Sequence, residues 1–242
     1  MIPHAAWHVA TVSAAHPETA NARSITLSIP DWPGNLAGQH VDVRLTAEDG
    51  YQASRSYSVA SSGDRHTIEL AIDRVEGGEV SPFLVDDLMV GDQVEVRGPL
   101  GGWFVWMPAD GSTRPVQLIA GGSGIVPLAA MVRAHLAASD ATPFRLLYAV
   151  RTPGDVFFRS ELARASDGIR VDIVYSRAVP EGFPRAPGRI TQQLLGELVV
   201  PASEHPRIFV CGSTPFVEQV LAWLRALGHD VGGVRAERFG GA

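Results

Sequence analysis

The chain has 242 residues, 45% hydrophobic and 19% charged, with a net charge of −6 and one cysteine. That length suits one large globular domain or two ordinary ones, and the acidic balance argues against a nucleic-acid surface. All 20 basic residues are arginine, which excludes a lysine Schiff base and a Walker-A phosphate loop, and Cys211 alone cannot build a disulfide framework, a multi-cysteine zinc site or a cysteine-ligated iron–sulfur cluster.

The opening Met-Ile-Pro-His-Ala-Ala-Trp has no basic stretch leading into an apolar run. No signal peptide is therefore expected, and a cytoplasmic protein is. Strands are expected over Trp7–Ser13, Arg23–Ile29, Val41–Thr46, Thr67–Asp73 and Gln93–Arg97. Turn chemistry separates them at Asp31-Trp32-Pro33-Gly34, Glu48-Asp49-Gly50 and Ser61-Ser62-Gly63-Asp64. Such spacing suggests a sandwich or a small barrel. Ser81-Pro82 offers an N-cap and a first-turn proline to a short helix over Phe83–Leu88. Asp86 and Asp87 read as its solvated end.

After Pro115 the rhythm changes. Short apolar runs at Val116–Ala120, Phe144–Val150, Arg170–Tyr175 and Arg207–Cys211 precede helical stretches, with helices expected over Leu128–Ala138 and Phe216–Leu227. Val234–Phe239 reads as a last strand. Alternating strands and helices imply a parallel sheet. The boundary is expected near Trp106–Arg114, where Pro108, Asp110 and Gly111 break the pattern. The uncharged stretch Val116–Val132 contains Gln117, three glycines and Pro127, so it reads as strand, turn and helix and not as a membrane span.

Gly121-Gly122-Ser123-Gly124-Ile125-Val126-Pro127 follows the first of these strands. Glycines there allow phosphates near the backbone at a helix start. The spacing lacks the third glycine of the common dinucleotide fingerprint, and a purely structural turn fits it equally. It is not a nucleophile elbow, since Ile125 stands where the second glycine is needed. Val150 is followed by Arg151, where NAD-binding sheets usually carry an acid. With Ser176, Arg177 and Arg189 near the next strand end, three arginines and a serine could meet a phosphate monoester, favouring NADPH over NADH. Taken singly, each arginine also reads as a solvated loop residue. His4 and His8 have metal-like spacing but enter a strand and lack a third ligand, so no metal site is expected.

Arg55-Ser56-Tyr57-Ser58, Gly78-Glu79-Val80-Ser81, Gly98-Pro99-Leu100-Gly101, the turn at Gly121–Pro127, Cys211-Gly212 and Glu237-Arg238-Phe239 occur in that order. Together they resemble the ferredoxin–NADP reductase family of flavoproteins, most nearly its bacterial oxygenase reductases. The resemblance implies a six-stranded antiparallel FAD-binding β-barrel over residues 1–110. A parallel-sheet α/β NAD(P)-binding domain would follow over residues 111–242 and end in a segment that covers the flavin. Arg55 would then neutralise the FAD diphosphate with backbone N–H groups around Gly78, Val80 and Ser81. Tyr57 would lie against the isoalloxazine ring, and Ser58 would stand near flavin N5. Cys211 and Glu237 would join that serine around the nicotinamide ring. Cys211 would be a packing group there, and Glu237 would orient Ser58 or relay protons. Phe239 would cover the flavin, although three residues follow it, a departure from plant-type members that end on this aromatic.

With no cluster-binding cysteines, the implied protein is a bare FAD and NAD(P)H module. Its electrons would go to a separate acceptor such as a ferredoxin, a flavodoxin or an oxygenase component. A free flavin or ferric-siderophore reductase, a non-catalytic electron-transfer subunit and a small hydrophobic-ligand carrier are the alternatives. The acceptor and the oligomeric state have no motif.

Overall fold

The computed structural model describes residues 6–108, 112–139, 141–165 and 168–240. The chain forms two units, one ending at Met107 and grouped with Ala129–Ala134, the other comprising Pro108–Leu128 and His135 onward. The expected boundary between residues 110 and 111, like His4 and the last two residues, lies outside the described residues.

The first unit holds six strands: β1 (Trp7–Thr19), β2 (Ala22–Ser28), β3 (His40–Thr46), β4 (Gln52–Ser58), β5 (Thr67–Asp73) and β6 (Gln93–Leu100). They pair in the order β4-β3-β6-β1-β2-β5, antiparallel throughout. The two outermost strands meet just past the end of β4, through a bridge between Val59 and Leu70 and an Ala60 N–H bond to the Glu69 carbonyl of 2.7 Å. A sheet closed at that seam is a barrel. Its interior holds Val12, Ile25, Leu27, Val41, Val43, Ile68, Leu70 and Val96, all at most 1% exposed. Strand alternation explains this, since Val41 and Val43 face in while His40, Asp42 and Arg44 share the opposite face.

β1 runs beyond its expected end at Ser13. Register shifts between Val12 and Ala14 and between Pro17 and Thr19 bend it and accommodate the proline. The short helix is a single turn over Phe83–Asp87, closed by Leu88 N–H bonding to Phe83 O. Here Ser81 departs from the expected cap. Its buried hydroxyl instead accepts the Val75 N–H at 3.0 Å, and no side chain caps the turn.

The second unit has parallel strands β7 (Val116–Gly121), β8 (Phe144–Val150), β9 (Arg170–Tyr175), β10 (Arg207–Ser213) and β11 (Arg235–Phe239), in the order β11-β10-β7-β8-β9. Its helices are α1 (Ile125–Ala138), α2 (Arg159–Ala165), α3 (Gln192–Leu198) and α4 (Thr214–Ala226). Leu195 of α3 and Val217, Val220 and Leu224 of α4 pack with Ile119, Leu147, Val174 and Val210 of the strands. Gln117 is fully buried but satisfied, accepting Val200 N–H at 2.9 Å and donating to carbonyls beside it. Strand order reverses at β7, and the crevice at the carboxyl ends beside such a reversal is where open α/β sheets take ligands. Among the described residues no helix is long and apolar enough to cross a membrane.

Candidate functional site

On the barrel, Arg55, Ser56, Tyr57 and Ser58 lie on β4, which pairs only with β3 along its length. Tyr57 packs on the edge of the core, and burial pushes its hydroxyl up to about 12 against the nearby Arg55 charge. Arg55 reaches across to the loop before the helical turn, donating Nη2 to Glu79 at 2.6 Å. Within that loop Gly77 has φ +70°, which glycine adopts without strain, and a Cβ there would meet nothing within 4 Å. A Cβ on Gly78 would stand 3.0 Å from Val75 O. The first bond of the turn is Leu84 N–H to Val80 O, so the N–H groups of Val80 and Ser81 precede it and are not used by the turn's own bonds. A guanidinium, early-turn donors and a half-buried aromatic ring on one edge fit a dinucleotide with a diphosphate and a flat ring system.

Three residues near these were not singled out by sequence reasoning as site residues. His40 sits directly opposite Ser58 in the β3–β4 register. Burial lowers its basicity and Asp42 partly restores it. Asp42 accepts the Ser56 hydroxyl at 2.6 Å and is ion-paired to Arg97 at 2.5 Å. Burial raises the Asp42 carboxyl, but those two partners outweigh it and hold the group below its ordinary range. Glu79 is the third. The only sequence signal for the first two is the polar alternation His40, Asp42, Arg44 across Val41 and Val43.

In the α/β unit, the glycine turn resolves into two kinds of glycine. A Cβ on Gly121 would stand 2.7 Å from the Phe216 ring, and one on Gly124 would stand 2.2 Å from Cys211 O. Those two are glycines because α4 and β10 pack against them. Gly122 is different: it is exposed, has φ +56° and would meet nothing within 4 Å, so it is where a ligand can approach the backbone. Ser123 follows it, partly exposed, and Pro127 lies in the first turn of α1, whose N-cap makes no side-chain bond. Gly212 stands beside the same Phe216 ring, with its Cβ position 2.7 Å away.

The strand ends bring the expected cations near one another. Ser176 N–H bonds to Val150 O at 2.9 Å, Arg177 N–H to Arg151 O at 2.8 Å, and Gly188 N–H to Tyr175 O at 2.9 Å, carrying Arg189 back to the end of β9. Arg151, Arg177 and Arg189 are exposed, and among the described residues none of them is ion-paired. At the other side of the sheet, Cys211 and Glu237 are register partners across β10 and β11, as are Ser213 and Phe239. Burial, with the Glu237 charge beside it, pushes the Cys211 thiol well above its ordinary value, so it is no thiolate nucleophile. Burial also raises the Glu237 carboxyl to about 7. Such a group can hold or release a proton near neutrality. Phe239 is 39% exposed at the strand end.

Comparison with known proteins agrees with both halves. The Oxidoreductase FAD-binding domain family matches residues 10–105, and the Oxidoreductase NAD-binding domain family matches residues 118–221. The chain is 34% identical over 243 residues to ferredoxin–NADP reductase B of Sorangium cellulosum, covering 95% of this chain and 96% of that protein. It is 33% identical over 210 residues to a glycine betaine monooxygenase reductase subunit of Chromohalobacter salexigens, covering 84% of this chain and 55% of the relative. Indeed the chain spans only 55% to 66% of the length of several relatives that it matches. The solved FAD/NAD-binding domain of nitric oxide dioxygenase from Vibrio cholerae superimposes with a TM-score of 0.85 at 25% identity, covering 97% of this chain and 99% of that one. With both domain families matched in order and a relative matched over nearly its whole length, the chain belongs to the ferredoxin–NADP reductase family of FAD- and NAD-binding oxidoreductases.

Proposed function

We propose that the chain is a two-domain reductase module, with FAD held by residues 1–110 and a nicotinamide nucleotide by residues 111–242. In this reading it passes electrons to a separate redox protein such as a ferredoxin, a flavodoxin or an oxygenase component, in the cytoplasm. The observation that carries it is the pairing of Arg55 and the Gly77–Ser81 loop on a barrel edge with an open Gly122 at the reversal point of a parallel sheet. FAD, when bound, takes two electrons from a reduced nicotinamide nucleotide and hands them on singly.

The residues supply binding, orientation and proton handling. Arg55 and the N–H groups of Val80 and Ser81 hold the FAD diphosphate, and Tyr57 packs on the ring. Ser58 offers a hydroxyl to the ring edge, with Ser56 fixed on Asp42 beside it. Gly122 and the start of α1 take the nicotinamide nucleotide's diphosphate, and Cys211 and Gly212 form an apolar wall for the nicotinamide. Glu237, neutral or charged near pH 7, holds a proton at the carboxyl end of β11. Arg151, Ser176, Arg177 and Arg189 select NADPH, since three cations without carboxylate partners suit a phosphate monoester better than ribose hydroxyls.

The test is an anaerobic titration of the FAD-loaded protein with NADPH and, separately, NADH, following loss of flavin absorbance. Bleaching by NADPH at a concentration about tenfold or more below that for NADH is expected. Easier bleaching by NADH keeps the reductase and removes the phosphate site. Bound flavin that neither nucleotide bleaches overturns the reductase reading in favour of a non-catalytic subunit.

A further inference from the structure

The barrel's diphosphate loop contains one group of the wrong sign. Glu79 lies between Gly78 and Val80, among donors suited to an anion, and is itself an anion. Its carboxylate accepts Arg55 Nη2 at 2.6 Å on one oxygen and the Tyr51 hydroxyl at 2.8 Å on the other. The Tyr51 bond and then Arg55 hold the carboxyl below its ordinary range, so it is charged at neutral pH. Arg55 is 54% exposed and Glu79 is 48% exposed, so the pair sits where a ligand can reach it.

We propose that Glu79 is a built-in competitor for Arg55 that weakens the barrel's hold on FAD. This rests on the reading that Arg55 and Gly78–Ser81 take the FAD diphosphate. Two effects oppose each other. Pairing keeps the Arg55 side chain extended toward the loop, which favours binding. Against that, a diphosphate carries two negative charges and meets one guanidinium whose charge Glu79 already offsets. An exposed ion pair is weak and opens readily, but opening does not remove the carboxylate. Tyr51 keeps it tethered beside the site, and salt screens only over about 10 Å at 0.1 M. A diphosphate seated on Arg55 lies well inside that range, so the repulsion outlasts the pair and is the larger effect. FAD is therefore held less tightly than Arg55 alone allows, and the cofactor exchanges more readily.

The experiment titrates the full chain, stripped of flavin, with FAD and with riboflavin, following quenching of flavin fluorescence in wild type and Glu79→Gln. The glutamine keeps an acceptor for Tyr51 and Arg55 but loses the charge. FAD should bind the variant about five- to twentyfold more tightly at low salt, with the gain falling to about twofold near 0.5 M salt. Riboflavin, which has no phosphate, should change by less than about twofold. Equal or weaker FAD binding by Glu79→Gln overturns the proposal and makes Glu79 a positioning residue for Arg55. An equal gain for riboflavin overturns it too, because the effect then bypasses the phosphates. If neither form binds FAD at all, the diphosphate reading itself falls and takes this proposal with it.

Discussion

The two units use their charged residues in opposite ways. On the barrel, Arg44, Arg55, Arg74 and Arg97 are each paired with a carboxylate. Arg44 and Arg97 also lie over the Trp7 ring, at 4.1 and 5.0 Å from its centre. Arg44 holds Glu95 below the ordinary carboxylate range, and Tyr51 with Arg55, and Ser56 with Arg97, do the same for Glu79 and Asp42. At the strand ends of the α/β sheet, Arg151, Arg177 and Arg189 have no carboxylate partner among the described residues, and Glu237 is raised by burial alone. In a chain without lysine, arginine supplies every permanent side-chain cation, and the two units differ in whether a carboxylate already meets it; Arg55 is paired and still exposed enough for a ligand to reach. The candidate site on the barrel consists of side chains on a strand edge, and the one proposed on the α/β unit consists of bare backbone and unpaired charge.

The sharpest test of that difference is at the glycines. Gly124→Ala puts a Cβ 2.2 Å from a backbone carbonyl, whereas Gly77→Ala meets only open space and an unfavourable φ. Urea unfolding should show a loss of about 3 kcal/mol or more for the first and about 1 kcal/mol for the second. Equal losses would mean that close packing does not fix the glycine turn before α1.

A second test uses the raised carboxyl. The Glu237 value in the folded chain is about 7 against an ordinary 4.5, so folding favours its neutral form. Its contribution is complete below pH 4.5 and declines as pH rises through about 7, by at most about 3 kcal/mol. Unfolding free energies measured from about pH 5 to pH 8 should fall in wild type and be flatter in Glu237→Gln. Parallel curves would show that Glu237 is better solvated than its burial on the edge strand β11 implies.

The smallest effect concerns the free cations. Replacing Arg177 and Arg189 together by alanine should cut the preference for NADPH over NADH about 10- to 100-fold, read from the ratio of their dissociation constants. An unchanged ratio would make these arginines ordinary solvated loop residues.

Much of this architecture was legible in the sequence because burial writes a period into it. Val41 and Val43 alternate with polar neighbours, and the apolar run of β7 can only be a strand buried on both faces. What escaped has physical reasons. β4 reads Gln-Ala-Ser-Arg-Ser-Tyr-Ser, and four of its seven residues are exposed, so hydrophobicity hardly marks it. The helices α2 and α3 have seven residues each, too few for a clear helical period. The expected site positions were found as short ordered motifs, and the structure divides their glycines into packing and open ones. Glu79 is only the variable position of the Gly78–Ser81 motif, and His40 belongs to no motif. Their neighbours are set by a β3–β4 register and a loop crossing that local spacing does not encode.

The polar makeup of β4 has a consequence for the protein in crowded solution. A strand that hydrogen-bonds along one side only invites another chain to add itself to the other, and long apolar edges of that sort seed aggregates. Here the open side carries Gln52, Ser54, Arg55, Ser56 and Ser58, a run too hydrophilic and too charged to template a neighbour. Arg55, Ser56 and Ser58, proposed to stand beside the cofactor, thus have a second consequence as gatekeepers that make this edge a poor template for another copy of the chain.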